Sequence, residues 1–221
     1  MITSSIYLIS GLGADRRAFR KLIFPAQYKL IYLDWIPALS NESLEDYASR
    51  LSATIDTSTP FYLIGLSFGG MLATEIAKKL NPLHTFIISS TPTYKELPWY
   101  YRLAGNLKLQ QMVPVGLMKK GNSIGLKFLG AKTENERILL RQLILDSDPY
   151  FMKWALTCIL TWKNLERPLH LTHIHGTADT ILPLRYTAKP DIIINKGTHF
   201  MVYANAKEIT KEILVILNSS T

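Results

Sequence analysis

Cysteine is nearly absent from this chain: Cys158 is the one thiol in 221 residues, so no disulfide can form within it. It lies in the apolar helical stretch Trp154 to Leu160 and reads as a packed core thiol rather than a reactive one. No apolar run reaches about 18 residues, so no membrane-spanning helix or stable membrane insertion is expected. The start, Met1-Ile2-Thr3-Ser4-Ser5, has no basic region ahead of an apolar one. No secretory leader is therefore expected, and with the lone thiol the expected setting is cytoplasmic. Internal repeats and low-complexity linkers are missing too. Acidic residues are outnumbered, 17 against 25 basic, giving a formal charge of +8. The excess is uneven, because residues 92–165 hold 11 basic and 5 acidic side chains. Nucleic acid is not an expected partner, since no nucleic-acid motif is present and the basic residues are scattered among apolar ones. They read as a solvated surface with some attraction for anionic substrates or membranes.

What is present is apolar: 48% of residues are hydrophobic, enough for a substantial core in one α/β domain carrying an insertion. The most informative stretch is Gly65-Leu66-Ser67-Phe68-Gly69. Phe61 to Ile64 ahead of it suit a buried strand, while Met71, Leu72, Ile76, Ala77 and Leu80 behind it recur at helical spacing. A serine between two glycines at such a junction has the pattern of a nucleophile elbow. The sharp reversal strains the serine, and the glycines leave room for the turn.

A nucleophilic serine needs a base, a carboxylate that orients the base, and amide donors for an oxyanion. Asp179 ends the segment Leu171 to Asp179, which alternates like a strand and breaks at Gly176 into a turn. His199 follows the β-branched run Ile192-Ile193-Ile194 and directly precedes the last helix. The chain order serine, acid, histidine fits Ser67 as nucleophile, Asp179 as acid and His199 as base. For the oxyanion the candidates are the backbone amides of Phe68, just after the serine, and Leu12, in the glycine-containing loop after the first strand. That loop, Ser10-Gly11-Leu12-Gly13, is no dinucleotide fingerprint, because the third glycine is missing and Asp34 is followed by Trp35-Ile36-Pro37.

These pieces together resemble the α/β-hydrolase family. The resemblance rests on Gly11-Leu12-Gly13, Gly65 to Gly69, His175-Gly176-Thr177-Ala178-Asp179 and Gly197-Thr198-His199-Phe200, and covers residues 6–91 and 168–218 in order. Two departures stand out. Many relatives carry His-Gly in the first loop where this chain has Ser10-Gly11, and the first strand begins by residue 6, so the two leading strands of larger members are expected to be missing. The resemblance implies an α/β fold with a mostly parallel, doubly wound sheet and a helical cap after the fourth strand. Residues 1–91 and 168–221 would form the core and 92–167 the cap.

The rhythm along the chain agrees with that organisation. Strand and helix alternate from Ser10 to Ser90, with residues 28–34 as a strand, a helical stripe of Leu44, Tyr47, Ala48, Leu51 and Ile55 capped by Ser43, and a fourth strand at 84–90. Residues 92–165 have helical periodicity only, interrupted by Pro114, Gly121, Gly125 and Pro149. Some of Trp99, Tyr100, Tyr101, Leu103, Met112, Leu117, Met118, Phe128, Phe151 and Trp154 are expected to face the cleft and form an apolar acyl pocket. His170, His173 and His175 crowd one strand, but no third ligand lies near, so neither a metal nor a cofactor is expected. Asp148 before Pro149 reads as a helix cap, the other reading being a spare carboxylate near the pocket or a replacement for Asp179.

The sequence therefore points to a serine hydrolase that cleaves a carboxylic ester or thioester of a small molecule with an apolar acyl group. The same triad would also serve a carbon–carbon bond hydrolase or a lyase. A non-catalytic ligand-binding receptor of the same fold is the reading from another class.

Overall fold

Six short runs rich in β-branched and aromatic residues join into one sheet in the computed structural model, which describes residues 4–118 and 123–219. The strands are β1 (Ser4–Ile9), β2 (Tyr28–Leu33), β3 (Phe61–Leu66), β4 (His84–Ile88), β5 (Leu171–Gly176) and β6 (Ile192–Ile194). Their order is β2-β1-β3-β4-β5-β6, with every pair parallel. A parallel sheet needs cover on both faces, which is why β3 is buried along its whole length. Alternation in β1 divides the core. Ile6 and Leu8 join one apolar cluster with Phe86, Ile209 and Ile213, while Tyr7 and Ile9 join another with Tyr47, Leu63 and Leu72. The second cluster is covered by α1 (Leu44–Ser52) and α2 (Phe68–Leu80), and the first by α8 (Ala206–Ser219), which follows the short α7 (Met201–Ala204). Ser43 caps α1 by accepting from the Asp46 amide.

The chain runs from β1 outward to β2, then returns to β3 and proceeds the other way. In open α/β sheets ligands bind at such a reversal, beyond the carboxyl ends of the strands. Here the register sets Ile9 beside Gly65, so the loop after β1 and the turn after β3 emerge side by side.

Between β4 and β5 the described residues form helices and turns only. They include α3 (Trp99–Asn106), α4 (Ser123–Phe128), α5 (Glu134–Asp146) and α6 (Pro149–Thr161). Thr133 and Glu136 make a reciprocal capping box at the start of α5. Asp148 caps α6, accepting from the amides of Tyr150 and Phe151 at 2.7 and 3.1 Å, and Pro149 opens the helix. Asp146 pairs with Arg17 at 2.7 Å. One expected interruption turns out otherwise, since Gly125 lies within α4. Pro149 does separate two helices and starts the second, because a first-turn residue has no intrahelical partner for its nitrogen. Gly121 lies outside the described residues. These helices are built into the core: Leu139, Leu140 and Leu143 of α5 belong to the α8 side, and Ala155 and Cys158 of α6 to the α1–α2 side. Burial pushes the Cys158 thiol up to about 12, so it stays protonated. Among the described residues no helix is long and apolar enough to cross a membrane.

Candidate active site

The turn between β3 and α2 is held in an unusual shape. Ser67 has φ 51° and ψ −118°, a left-handed backbone that costs a non-glycine residue about 1–3 kcal/mol. Its amide donates to Ile88 O at 2.9 Å, and its carbonyl accepts from the Ser90 hydroxyl at 2.6 Å. The end of β4 thus pins the strained residue. Gly69 is required by close approach, because a Cβ there would drive into the carbonyl oxygens of Ile9 and Ser10.

Three side chains meet above this turn. His199 Nε2 lies 2.9 Å from Ser67 Oγ, and His199 Nδ1 lies 2.8 Å from Asp179 Oδ2. Asp179 and His199 are buried. The second Asp179 oxygen accepts from the amides of Ile181 and Leu182, each at 2.9 Å, which fixes the carboxylate's direction. Burial alone would raise the Asp179 pKa. The neighbouring His199, by charge and hydrogen bond, the Leu182 amide and His175 outweigh burial and hold it below the usual carboxylate value. An ionised carboxylate therefore faces Nδ1, which leaves Nε2 directed at the serine. Leu12 and Phe68 line the cavity in front of Ser67, and neither amide donates to another described residue. Ser10 donates its hydroxyl to Ala14 O at 3.0 Å.

The cavity holds about 490 Å³ and is almost entirely apolar. Some of ten residues in the helical segment were expected to face the cleft, and of these Tyr100 and Tyr101 line it. Trp99, Leu103, Met112 and Phe128 are instead exposed. Phe151 and Trp154 pack with Trp35, Tyr47 and Phe68 in an aromatic cluster behind the elbow. Nothing is described of the Leu117 side chain, and Met118 is half-buried away from the lining. The larger share of the wall comes from aliphatic residues, among them Leu140 and Ile144 of α5 and Leu156, Ile159 and Leu160 of α6. Their i, i+3, i+4 spacing marked an apolar stripe, but spacing alone does not say what the stripe faces. Four hydrogen bonds tie this segment to the turns that carry Asp179 and His199, one of them from Lys132 Nζ to Lys196 O at 3.0 Å. Tyr101 donates to Ile181 O at 3.0 Å, Thr180 to Phe128 O at 2.6 Å, and Thr198 to Gly130 O at 3.1 Å.

Solved structures match this arrangement of strands and helices over nearly the whole chain. An esterase, EaEST from Exiguobacterium antarcticum, is 14% identical with a TM-score of 0.76, covering 97% of this chain and 92% of its own. MenH from S. aureus is 18% identical with a TM-score of 0.75, covering 100% and 95%. The chain has the α/β-hydrolase fold. A lipase-esterase related protein from Clostridium acetobutylicum is similar as well, at 18% identity and a TM-score of 0.70, covering 96% of this chain and 93% of its own. A family model described as the thioesterase domain matches residues 36–135, a span that includes the elbow but is under half of the chain. No curated protein matches it in a sequence search.

The two histidines of β5 form a hydrogen-bonded pair. His175 Nε2 lies 2.7 Å from Leu182 O and so donates to it, which leaves Nδ1 to accept from His173 Nε2 at 3.0 Å. Among the described residues no cluster of three or more metal-ligating side chains is found. Burial, reinforced by the neighbouring His175 and Arg167, pushes His173 down to about 3, and burial also lowers His175. An unfolded chain takes up protons at these positions below about pH 6.5, whereas the folded protein resists them. Their contribution to stability is therefore complete above about pH 6.5 and is lost as pH falls toward the depressed folded values. For His173 the expected loss is roughly 1 kcal/mol per pH unit. Between pH 7.5 and 5 the melting temperature of the native protein should fall more steeply than that of His173→Gln. Parallel slopes would remove this histidine as a source of acid sensitivity.

Proposed function

We propose that this protein of α/β-hydrolase fold is a serine hydrolase that cleaves a carboxylic ester or thioester carrying a small-to-medium apolar acyl group. One observation carries the reading: the hydrogen-bonded series Ser67, His199, Asp179 opens onto a predominantly apolar cavity of about 490 Å³. Ser67 Oγ attacks the carbonyl carbon as His199 Nε2 takes its proton, and Asp179 stabilises the imidazolium that forms. The tetrahedral oxyanion is held by the amides of Leu12 and Phe68, with the amino-terminal end of α2 adding its positive field. His199 returns the proton to the departing alkoxide or thiolate, leaving an acyl-enzyme. Water, activated by the same histidine, attacks the acyl carbon and releases the acid and Ser67.

In this reading residues 92–167 act as a cap whose aliphatic side chains receive the acyl group, and activation of the nucleophile by His199 makes a metal unnecessary. A serine at the elbow disfavours chemistry that requires a carboxylate nucleophile. An acyl series from acetyl to palmitoyl, presented as both oxygen esters and thioesters with and without chelator, tests the proposal. Highest kcat/KM is expected for small-to-medium apolar acyl groups, unchanged by chelator. Activity confined to acetyl, or abolished by chelator, would overturn it.

A further inference from the structure

The helix that walls the cavity with one side presents bare apolar side chains on the other. Tyr100, Tyr101 and Ala104 of α3 line the cavity, and Gly105 presses against the Leu160 backbone. On the opposite side Trp99, Leu103 and Leu107 fall at i, i+4 and i+8, exposed by 56%, 47% and 60%. The Leu107 amide still donates to Leu103 O, so the helical spacing holds to the end of the row. Leu109 and Met112, exposed by 45% and 79%, continue the ridge.

Its rim is cationic. Lys108 is exposed within it, Lys163 reaches Asn106 Oδ1 at 3.3 Å, and Lys153 reaches Gln111 O at 3.5 Å. Arg185 lies over the ring of Tyr186, which packs against Tyr100. Between residues 97 and 118 the two charged side chains, Arg102 and Lys108, are both basic. The nearest acids in sequence on either side are otherwise engaged, Glu96 being buried and bonded to the Ala188 amide, and Glu134 paired with Arg137.

From this juxtaposition we infer that the outer face of α3 and the segment following it form a docking surface for an anionic lipid bilayer. An apolar ridge about 15 Å long, carrying tryptophan and leucine with lysines at its edges, suits a helix lying at the boundary between headgroups and acyl chains. The cations meet anionic headgroups while the ridge enters the apolar layer. An acidic protein partner would engage the rim by ion pairing and leave the protruding apolar centre without a use. Docking of this kind requires no membrane-spanning segment. It sets the cavity one helix thickness from the lipid, so apolar acyl substrates need not cross bulk water.

Flotation with vesicles tests the inference without reference to catalysis. The protein should float with phosphatidylcholine vesicles containing about 30% phosphatidylglycerol and weakly or not at all with phosphatidylcholine alone. Salt at about 0.5 M should weaken binding, since the Debye length then falls to a few ångströms. The variant Trp99→Ser/Leu103→Ser/Leu107→Ser should lose roughly tenfold or more of its partition, with its melting temperature showing that it folds. Lys108→Glu/Lys163→Glu should lose the preference for the anionic lipid. Absence of binding to the anionic vesicles, equal binding by the native protein and the triple variant, or capture by an acidic protein with no affinity for vesicles would each overturn the assignment.

Discussion

Ser67→Ala is expected to lower turnover of short acyl esters by roughly 10⁴-fold or more and to abolish covalent labelling by a fluorophosphonate, with the protein still folded. The size of the effect follows from the geometry. Ser67 Oγ is the one atom placed 2.9 Å from His199 Nε2, and the cavity lining holds no other nucleophile with a base beside it. Stability should change little, because the elbow is held through the backbone of Ser67, by Ile88 O and the Ser90 hydroxyl, rather than through its side chain. Undiminished labelling of the variant would place the nucleophile elsewhere. A native protein that resists the probe altogether would favour the ligand-binding reading of the same cavity.

Asp179→Asn should reduce kcat by roughly 10³- to 10⁴-fold while the fold persists. The native carboxylate accepts at Oδ2 from His199 and at Oδ1 from the Ile181 and Leu182 amides. An asparagine can keep one set of these bonds, but it carries no charge and offers a donor where an acceptor is needed. The imidazole then loses both its tautomer and the partner of its positive form. Asp148→Asn provides the contrast. Its carboxylate receives the first amides of α6, so the expected cost is about 1 kcal/mol or less of stability with activity retained. Measured side by side, a large kinetic loss at Asp148 and a small one at Asp179 would reassign the acid.

Ser67, Asp179 and His199 were legible in the sequence because each sits in a local signature: a glycine-flanked strand-to-helix turn, a turn at the end of an alternating strand, and a loop between a β-branched run and the last helix. The sheet was legible for a related reason, since strands buried on both faces are written as short unbroken apolar runs. The cavity wall was not. Phe151 and Trp154 carry as much apolar surface as any residue of the helical segment, yet they turn toward Trp35 and Tyr47, whereas the plainer Leu156 and Ile159 reach the cavity. Which face of α6 points where depends on contacts with residues more than a hundred positions away, and periodicity holds no trace of them. The partnership of His173 with His175 was hidden for the opposite reason. Two histidines on one face of a strand suggest ligands, and only the Leu182 carbonyl brought back by the following turn shows them to be a hydrogen-bonded pair.

The bonds from Tyr101, Thr180 and Thr198 join the helical segment to the residues immediately after Asp179 and immediately before His199. The segment is consequently not a door hung beside the hydrogen-bonded series Ser67, His199 and Asp179 but part of its frame. A displacement of α3 that breaks the Tyr101 bond frees the Ile181 carbonyl, and Ile181 also supplies one of the two amides that aim the Asp179 carboxylate. Displacement and alignment are mechanically opposed: Ser67, His199 and Asp179 stay in register while α3 rests against the turn that follows Asp179.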